Sequence, residues 1–265
     1  SICVYDLYQV FTVESYSAEY QGILDTMTAN GDTLPTDDVK NIQNNMVVSL
    51  VNGGFWAGMD SLNVYATDGD EGAALLNWKT LNKNTAFNSP TFTENQGYKG
   101  NGSTSYVEND LAFNGGANFQ QNNASIFRMV YADDTSARLY NSTGGRSRSP
   151  TNVSIINGRT SVSSDNYLNS GFSALFATDN TCVLITQHLQ RRSSNDVRFF
   201  ANGVQLATGT TTSTGVPTTK PFNAGGYNND PSIAAANDAE IAISGFGASF
   251  QGNESDLNDI FTTYI

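Results

Sequence analysis

The chain has 265 residues, of which 38% are hydrophobic and only 14% are charged, and its formal net charge is −12 at pH 7. A chain of this length can bury a core of its own, in one large domain or in two small ones. The acidic balance argues against nucleic acid as a partner, because binding to phosphates requires dense Lys and Arg. No apolar run reaches about 18 residues, which argues against membrane insertion through a helix.

The first residues, SICVYDLYQVF, predict a β-strand. They carry no basic leader and no small-residue cleavage site, so they do not resemble a signal peptide, although an already processed chain would begin in the same way. The two cysteines, Cys3 and Cys182, lie far apart in sequence. Two free thiols are favoured over a disulfide, and no zinc-binding spacing is present.

Two amphipathic helices are predicted before residue 52. In residues 14–31 the apolar side chains recur at helical spacing, and Asn30-Gly31 is typical of a left-handed helix end. A second helix is predicted over residues 36–51, capped by Thr36. We expect the two helices to pack against each other and to use their remaining apolar surface for attachment or oligomerisation. The alternative is that they cover the back of the domain that follows.

Beyond residue 85 the sequence changes to short alternating runs separated by Gly, Asn and Ser. The strongest signal is Asn202-Gly203 between two such runs, because this dipeptide tolerates the two positive φ angles of a type I′ hairpin turn. Strands at this spacing predict an antiparallel β-sandwich or jelly roll, so that the fold class is mainly β. The candidate strands are 104–109, 125–132, 151–156, 173–179, 182–190, 195–203, 204–210 and 239–249.

The last residues, NESDLNDIFTTYI, predict a short helix capped by Asn253 or Ser255. The chain is therefore divided into two regions. Residues 1–84 form an N-terminal strand and a helical attachment or oligomerisation region. Residues 85–265 form the β-sandwich with its short C-terminal helix.

No catalytic residue is assigned. Glycosidic cleavage requires two carboxylates that flank the scissile bond, and the one candidate pair, Asp238 and Glu240, stands beside a turn at the start of an apolar strand. His188 is the single histidine of the chain and is expected to be a polar, outward-facing strand residue. Arg191 and Arg192 are expected to be solvated loop charges or to make protein contacts.

The aromatic residues, 11% of the chain, suggest a glycan site. Sugar sites stack a ring on an exposed Tyr or Trp beside amides that bind hydroxyls. Several surface loops combine these side chains, although each is also compatible with an ordinary polar turn, and the arginines with solvated charges. The candidate glycan-binding residues are Tyr140, Arg146, Arg148, Tyr167, Tyr227 and Asn228.

The sequence predicts no cofactor site and offers one candidate for a metal site. The segment ATDGDEG places Asp68 and Asp70 as the beginning of an acidic calcium loop, but the rest of that pattern is missing and a solvated acidic turn competes with it. No phosphate-binding glycine loop precedes a helix, so no cofactor is expected.

Three passages in order resemble one family. They are FNSPTFTENQGYKGNGSTSYVEND (87–110), RFFANGVQLATGT (198–210) and AISGFGASFQGNESDLNDIFTTYI (242–265). Together they resemble concanavalin A/laminin-G-like sandwich domains of bacteriophage structural proteins, over residues 81–265. In that family an early segment begins the sandwich, a late hairpin follows, and a strand with a short helix closes it.

The resemblance implies a non-enzymatic virion component, such as a tail fibre, a receptor-binding tip or a head decoration protein. It implies that other virion proteins are partners, that the chain forms homo-oligomers such as trimers, that a host-surface glycan is bound, and that the protein resides in the virion after assembly in the host cytoplasm. The paired-acid motif of the glucanase branch is absent, so enzymatic activity is not implied. The alternatives are a carbohydrate-binding adhesin outside a virion and a polysaccharide-degrading glycoside hydrolase.

Overall fold

A computed structural model describes residues 15–132, 141–158, 164–171, 175–177, 184–230 and 232–265. These residues form two largely antiparallel β-sheets packed face to face, with helices near both ends of the chain. The expected β-sandwich is confirmed. The strand expected at the start of the chain, both cysteines and Tyr140 lie outside the described residues.

Side-chain caps precede three of the described helices, and Asn253 precedes the last helix without a side-chain cap hydrogen bond. In the described part of the chain the helices are α1 (Ala18–Asn30), α2 (Asp37–Asn52), α3 (Phe55–Gly58), α4 (Glu71–Ala74) and α5 (Glu254–Tyr264), with a 3-10 turn at Phe113–Gly115. The side chain of Ser17 accepts a hydrogen bond at the start of α1, which ends at Gly31 in the left-handed conformation with φ 77°. Thr36 caps α2 in the same way, as the sequence predicted.

The strands form two sheets, which we call sheet I and sheet II. They are β1 (Met59–Val64), β2 (Thr85–Phe87), β3 (Thr91–Thr93), β4 (Gly97–Lys99), β5 (Tyr106–Glu108), β6 (Ala124–Ala132), β7 (Asn141–Arg148), β8 (Thr151–Gly158), β9 (Ser164–Ser170), β10 (Leu175–Ala177), β11 (Ile185–Ser193), β12 (Asp196–Ala201), β13 (Val204–Gly209), β14 (Phe222–Ala224), β15 (Gly226–Asn228), β16 (Ile233–Ala234) and β17 (Glu240–Gly247). Among the described residues, sheet I has the order β13-β12-β11-β6-β17-β4-β3, with β1 also paired to β17. Sheet II has the order β10-β9-β8-β7-β14-β5-β2, and β15 pairs with β7 and β16.

The main core lies between the two sheets and is rich in aromatic rings. Phe113 lies 4.8 Å from Phe119 and 5.0 Å from Phe246, measured between ring centroids. The predicted hairpin joins β12 and β13, and Asn202 and Gly203 have φ angles of 48° and 74°. Both positive angles are those that a type I′ turn requires.

A second core lies on the outer face of sheet I, under the helices. Apolar side chains of α1 and α2, such as Ile23 and Leu50, pack in one cluster with Phe127 and Ile243 of the sheet. Phe261 of α5 joins the cluster, with its ring 5.5 Å from that of Phe127.

The helices thus cover the back of the sandwich, the second of the two expected arrangements. They also contact each other, since the hydroxyl of Tyr20 donates to the side-chain oxygen of Gln43 over 2.6 Å. β6 carries apolar side chains on both faces, and its outer ones, Phe127 and Met129, must be covered.

β1 lies before residue 85 and yet belongs to sheet I, where it pairs with β17. Its polar side chains are buried in an amide network. Asn63 donates to the carbonyl oxygen of Ser244 over 3.2 Å and accepts from Asn84 over 2.8 Å. Composition did not reveal this strand, because a buried polar residue has no alternating pattern to signal it.

The basic pair at residues 191 and 192 does not lie in a solvated loop, so that alternative is wrong. Arg191 lies inside the sandwich, fully buried, and its guanidinium donates to the carbonyl oxygens of Leu168 and Thr211, each over 2.8 Å. Burial lowers its pKa to about 10. Arg192 forms an ion pair with Glu254 at the start of α5. Both arginines lie within β11 rather than in a loop.

His188 is also buried, contrary to the expectation of an outward-facing polar residue. It lies on the outer face of sheet I, but α5 covers that face and leaves only 6% of the residue exposed.

Among the described residues, no helix has the length and apolar character needed to cross a membrane.

Candidate functional site

The candidate site is built on the outer face of sheet II, and β7 is its central strand. Thr143 of β7 faces the sandwich interior, where its hydroxyl accepts a hydrogen bond from Arg128 over 3.0 Å. Because side chains alternate along a strand, Gly144, Arg146 and Arg148 face outward. The two arginines were expected in a loop, but the structure places them on this strand.

A row of four paired residues crosses the outer face beside these arginines. Gly144 pairs with Ile155 of β8, which pairs with Tyr167 of β9. On its other side Gly144 pairs with Tyr227 of β15. Directly paired residues point to the same face of a sheet, so the two tyrosines stand on the same face as the arginines, one on each side of a glycine.

Hydrogen bonds hold the arginines in place. A terminal nitrogen of Arg146 donates to the side-chain oxygen of Asn229 over 3.1 Å. Nε of Arg148 donates to the backbone oxygen of Asn229 over 3.1 Å, and its backbone N–H donates to Asp230 over 3.4 Å. Arg148 is exposed, and its terminal nitrogens make no hydrogen bond with the described residues. They are therefore directed to solvent by a fixed stem.

Two of the expected glycan-binding residues do not join this group. Asn228 is buried, with its side-chain N–H donating to the backbone oxygen of Lys220 and its oxygen accepting from the N–H of Asp230. These contacts occupy its amide. Alternation along β15 also points the side chain of Asn228 away from that of Tyr227. Tyr140 lies outside the described residues.

The sequence analysis missed an aromatic ladder at the other end of the same face. Phe87, Tyr106 and Phe222 come from the neighbouring strands β2, β5 and β14. The rings of Phe87 and Tyr106 are 4.9 Å apart and those of Tyr106 and Phe222 are 3.9 Å apart, with interplanar angles of 24° and 17°. Phe87 and Tyr106 occur in two short segments far from the tyrosine loops, so only their cross-strand pairing could identify them.

Charged groups accompany the ladder. Glu108 follows Tyr106 on the same face of β5, and Phe222 pairs with it. Burial raises the pKa of Glu108, and attraction to Lys220 offsets part of that effect. Burial and the neighbouring Glu108 raise the pKa of Tyr106, so its hydroxyl remains a hydrogen-bond donor at neutral pH. This end of the face offers ring surfaces, a carboxylate and an ammonium group.

The centre of the face is closed and its margins are accessible. Phe222 and Ile155 are 1% and 2% exposed, whereas Arg146, Tyr106, Tyr167 and Tyr227 are half-buried. Phe87, at the sheet edge, is 37% exposed. A ligand would therefore contact the two ends of the face rather than a deep pocket at its middle.

The acidic loop at residues 66–72 holds helix ends together. Asp68 accepts hydrogen bonds from the N–H and hydroxyl of Thr36 over 3.1 and 2.6 Å. Asp70 caps α4 and also accepts from the N–H of Thr33 over 2.8 Å. Burial would raise the pKa of Asp70, but these hydrogen bonds outweigh it and lower the pKa. The described residues contain no group of three or more His, Cys, Asp or Glu side chains that could hold a metal ion.

The candidate acid pair is poorly placed for catalysis. Glu240 pairs with Lys99 and Ala132 inside sheet I and is 4% exposed. Asp238 precedes the strand and is half-buried. Because Glu240 is buried between two strands, a polysaccharide cannot reach its carboxylate in this conformation.

Comparison with known proteins identifies the fold. No family profile matches the chain, and no curated protein sequence matches it. The sialidase of Trypanosoma rangeli, bound to a difluorinated nononic acid, aligns with a TM-score of 0.56 at 10% identity, over 83% of this chain and 39% of that chain. The same sialidase bound to sialic acid aligns with a TM-score of 0.52 at 10% identity, over 84% of this chain and 38% of that chain. This chain thus spans about two fifths of the sialidase, and the likeness extends to the β-sandwich fold alone.

Proposed function

We propose that this chain is a non-enzymatic glycan-binding β-sandwich and that the outer face of sheet II is its binding surface. The observation that carries the proposal is the common face of Arg146, Arg148, Tyr167 and Tyr227. These residues come from three strands, and their convergence joins ring surfaces with fixed guanidinium donors. Rings stack on the apolar faces of sugars, and guanidinium groups bind hydroxyl or carboxylate oxygens.

The fold supports the proposal by analogy only. A β-sandwich of this kind occurs in a sialidase whose structure holds sialic acid, but a fold hosts many functions. An open site with a few polar contacts gives millimolar to micromolar affinities, which display on an oligomer makes useful.

One arginine variant and one tyrosine variant test the site. Wild-type protein on a glycan array should bind a restricted set of glycans. Arg148→Ala and Tyr227→Ala should each lower that signal about tenfold, the loss expected when about 1.4 kcal/mol of contact is removed. Arg198→Ala is the matched control, since Arg198 lies on β12 of sheet I and pairs with Asp196. Equal binding by all four proteins, or no binding by wild type, would contradict the proposal.

The virion remains the proposed setting. Its support is the resemblance of three passages to phage sandwich domains and the contact between two of them: the Asn202-Gly203 turn lies against Ser255 and Asn258 of α5. Other virion proteins and further copies of the chain are then the partners, and the virion is the location. Mass spectrometry of purified particles should detect the chain, and electron microscopy should locate it. Particles that lack it would exclude this setting and leave glycan binding untouched.

The non-enzymatic part has its own test. Neither wild type nor Glu240→Gln should release reducing sugar when it is incubated with bacterial surface polysaccharide. Release by wild type that Glu240→Gln abolishes would establish the hydrolase alternative instead. Release by both would point to a different acid.

A further inference from the structure

The aromatic ladder and the arginine end are two parts of one surface. β7, β14, β5 and β2 are consecutive in sheet II, and neighbouring strands lie about 4.8 Å apart. Arg148 on β7 and Phe87 on β2 are separated by three strand spacings, about 14 Å across the sheet. They are also about 20 Å apart along the strands, because Phe222 pairs with Gly144, four residues before Arg148, and Phe87 lies two residues beyond that level. That span exceeds one sugar ring, so a ligand that touches both ends has to be an oligosaccharide.

The ladder end is shaped for a ring. Phe87 belongs to β2, the last strand of sheet II among the described residues, and all three residues of that strand are exposed. One face of its ring is fixed on Tyr106, which is fixed in turn on the buried ring of Phe222. A sugar ring stacked at the edge would extend the ladder by one member without a rearrangement.

The arginine end is shaped for an anion. The terminal nitrogens of Arg148 are exposed and make no hydrogen bond with the described residues, because its Nε donates to the backbone oxygen of Asn229 and only its backbone N–H contacts the carboxylate of Asp230. Guanidinium binds carboxylate through two parallel hydrogen bonds.

We infer that the outer face of sheet II binds an extended, carboxylate-bearing oligosaccharide that runs diagonally across the strands. Its carboxylate lies on Arg148, its middle passes over the closed centre at Phe222, and a distal sugar ring stacks on Phe87. This inference rests on the proposed function and adds the ligand class, the direction of the chain and the second contact point.

The test measures affinity against chain length by calorimetry. The probes are oligogalacturonates, hyaluronan oligosaccharides and oligosialic acids of one to six sugars, with neutral cello-oligosaccharides of the same lengths. Affinity for at least one acidic series should rise with length and then level off. Phe87→Ala should lower the affinity of the longest members about three- to tenfold, the worth of one aromatic stacking contact, and leave monosaccharides unchanged. Arg148→Ala should weaken every length.

Leu206→Ala is the control, because Leu206 is an exposed apolar residue, 44% accessible, on the edge strand of sheet I. Thermal melting of each variant shows that it is folded. Affinity that does not depend on length, equal losses for Phe87→Ala at all lengths, or a preference for the neutral series would overturn the inference while glycan binding stands. Failure of every acidic and neutral glycan, on the array and in solution, would overturn the proposed function with it.

Discussion

At the scale of single residues, His188 is a polar side chain held in an apolar cage. Its ring lies 5.8 Å from Phe250, 6.1 Å from Phe200 and 6.3 Å from Phe127, between centroids. Neither ring nitrogen has a hydrogen-bond partner among the described residues. Burial lowers the pKa of His188 to about 3, against a smaller raising effect of Glu254 and with a further lowering by Arg192. The imidazole is therefore neutral wherever the protein is folded at ordinary pH.

The cage predicts an acid-dependent loss of stability. In the unfolded chain a histidine has a pKa of about 6.5, so below that pH the unfolded state binds a proton that the folded state refuses. The free energy of unfolding should fall by about 1 kcal/mol per pH unit as the pH drops from about 6.5 towards 3. Phe is close to His in volume and fits its apolar neighbours, so His188→Phe should remove this part of the slope.

Urea unfolding of wild type and His188→Phe between pH 7.5 and 5 measures the difference, in a window where most carboxylates are still ionised. The two proteins should diverge below pH 6.5, with the variant more stable. Parallel curves over the whole window would show that His188 is hydrated or paired in solution.

At the scale of elements, local signals were sufficient for helices and hairpins but not for the site. The glycine end of α1, the Thr36 cap of α2 and the turn at Asn202-Gly203 are set by neighbours in sequence, and all three are predicted correctly, whereas the Ser17 cap of α1 is not predicted. β7, with the sequence NSTGGRSR, was interpreted as a loop because its outward side is polar and its inward side is small. The residues that share a face with Arg146 are determined by the cross-strand register. A single sequence does not reveal that register.

Two glycines permit a matched test of backbone conformation. Gly203 has φ 74°, and an added Cβ would lie 3.0 Å from the Cα of Ser255 in α5. Gly203→Ala should destabilise the protein by about 1–2 kcal/mol, from the left-handed angle and the crowding of α5. Gly22 lies inside α1, where a Cβ would meet nothing within 4 Å. Gly22→Ala should stabilise by about 0.5–1 kcal/mol. Denaturant titration measures both, and a neutral Gly203→Ala would mean that the turn relaxes away from α5.

At the scale of the whole molecule, the N-terminal region and the sandwich share one core. The sequence indicated both regions but not their joint packing, because each apolar stripe is equally compatible with a partner helix, a second copy or a sheet. In the structure the apolar stripes of the helices pack on sheet I. Tyr20, Leu50 and Trp78 belong to the same buried cluster as Met129 and Ile243. Hydrogen bonds connect the two regions further: Asn63 donates to the carbonyl oxygen of Ser244, and Asn84 accepts from the backbone N–H of Asp110.

Truncation should now give the opposite of what the sequence suggested. A chain that begins at Leu81 loses β1, α1 and α2, which exposes the outer face of sheet I and removes a strand paired with β17. Each buried apolar side chain left uncovered costs about 1.5–3 kcal/mol, and several such losses exceed the 5–15 kcal/mol by which a domain is stable. We expect residues 81–265 to aggregate or to lack near-ultraviolet circular dichroism. Co-expression of residues 15–80 as a separate chain should restore solubility, because the lost contacts are non-covalent. If residues 81–265 alone form a soluble monomer that unfolds cooperatively, the sandwich is autonomous and the helices are an attachment region after all.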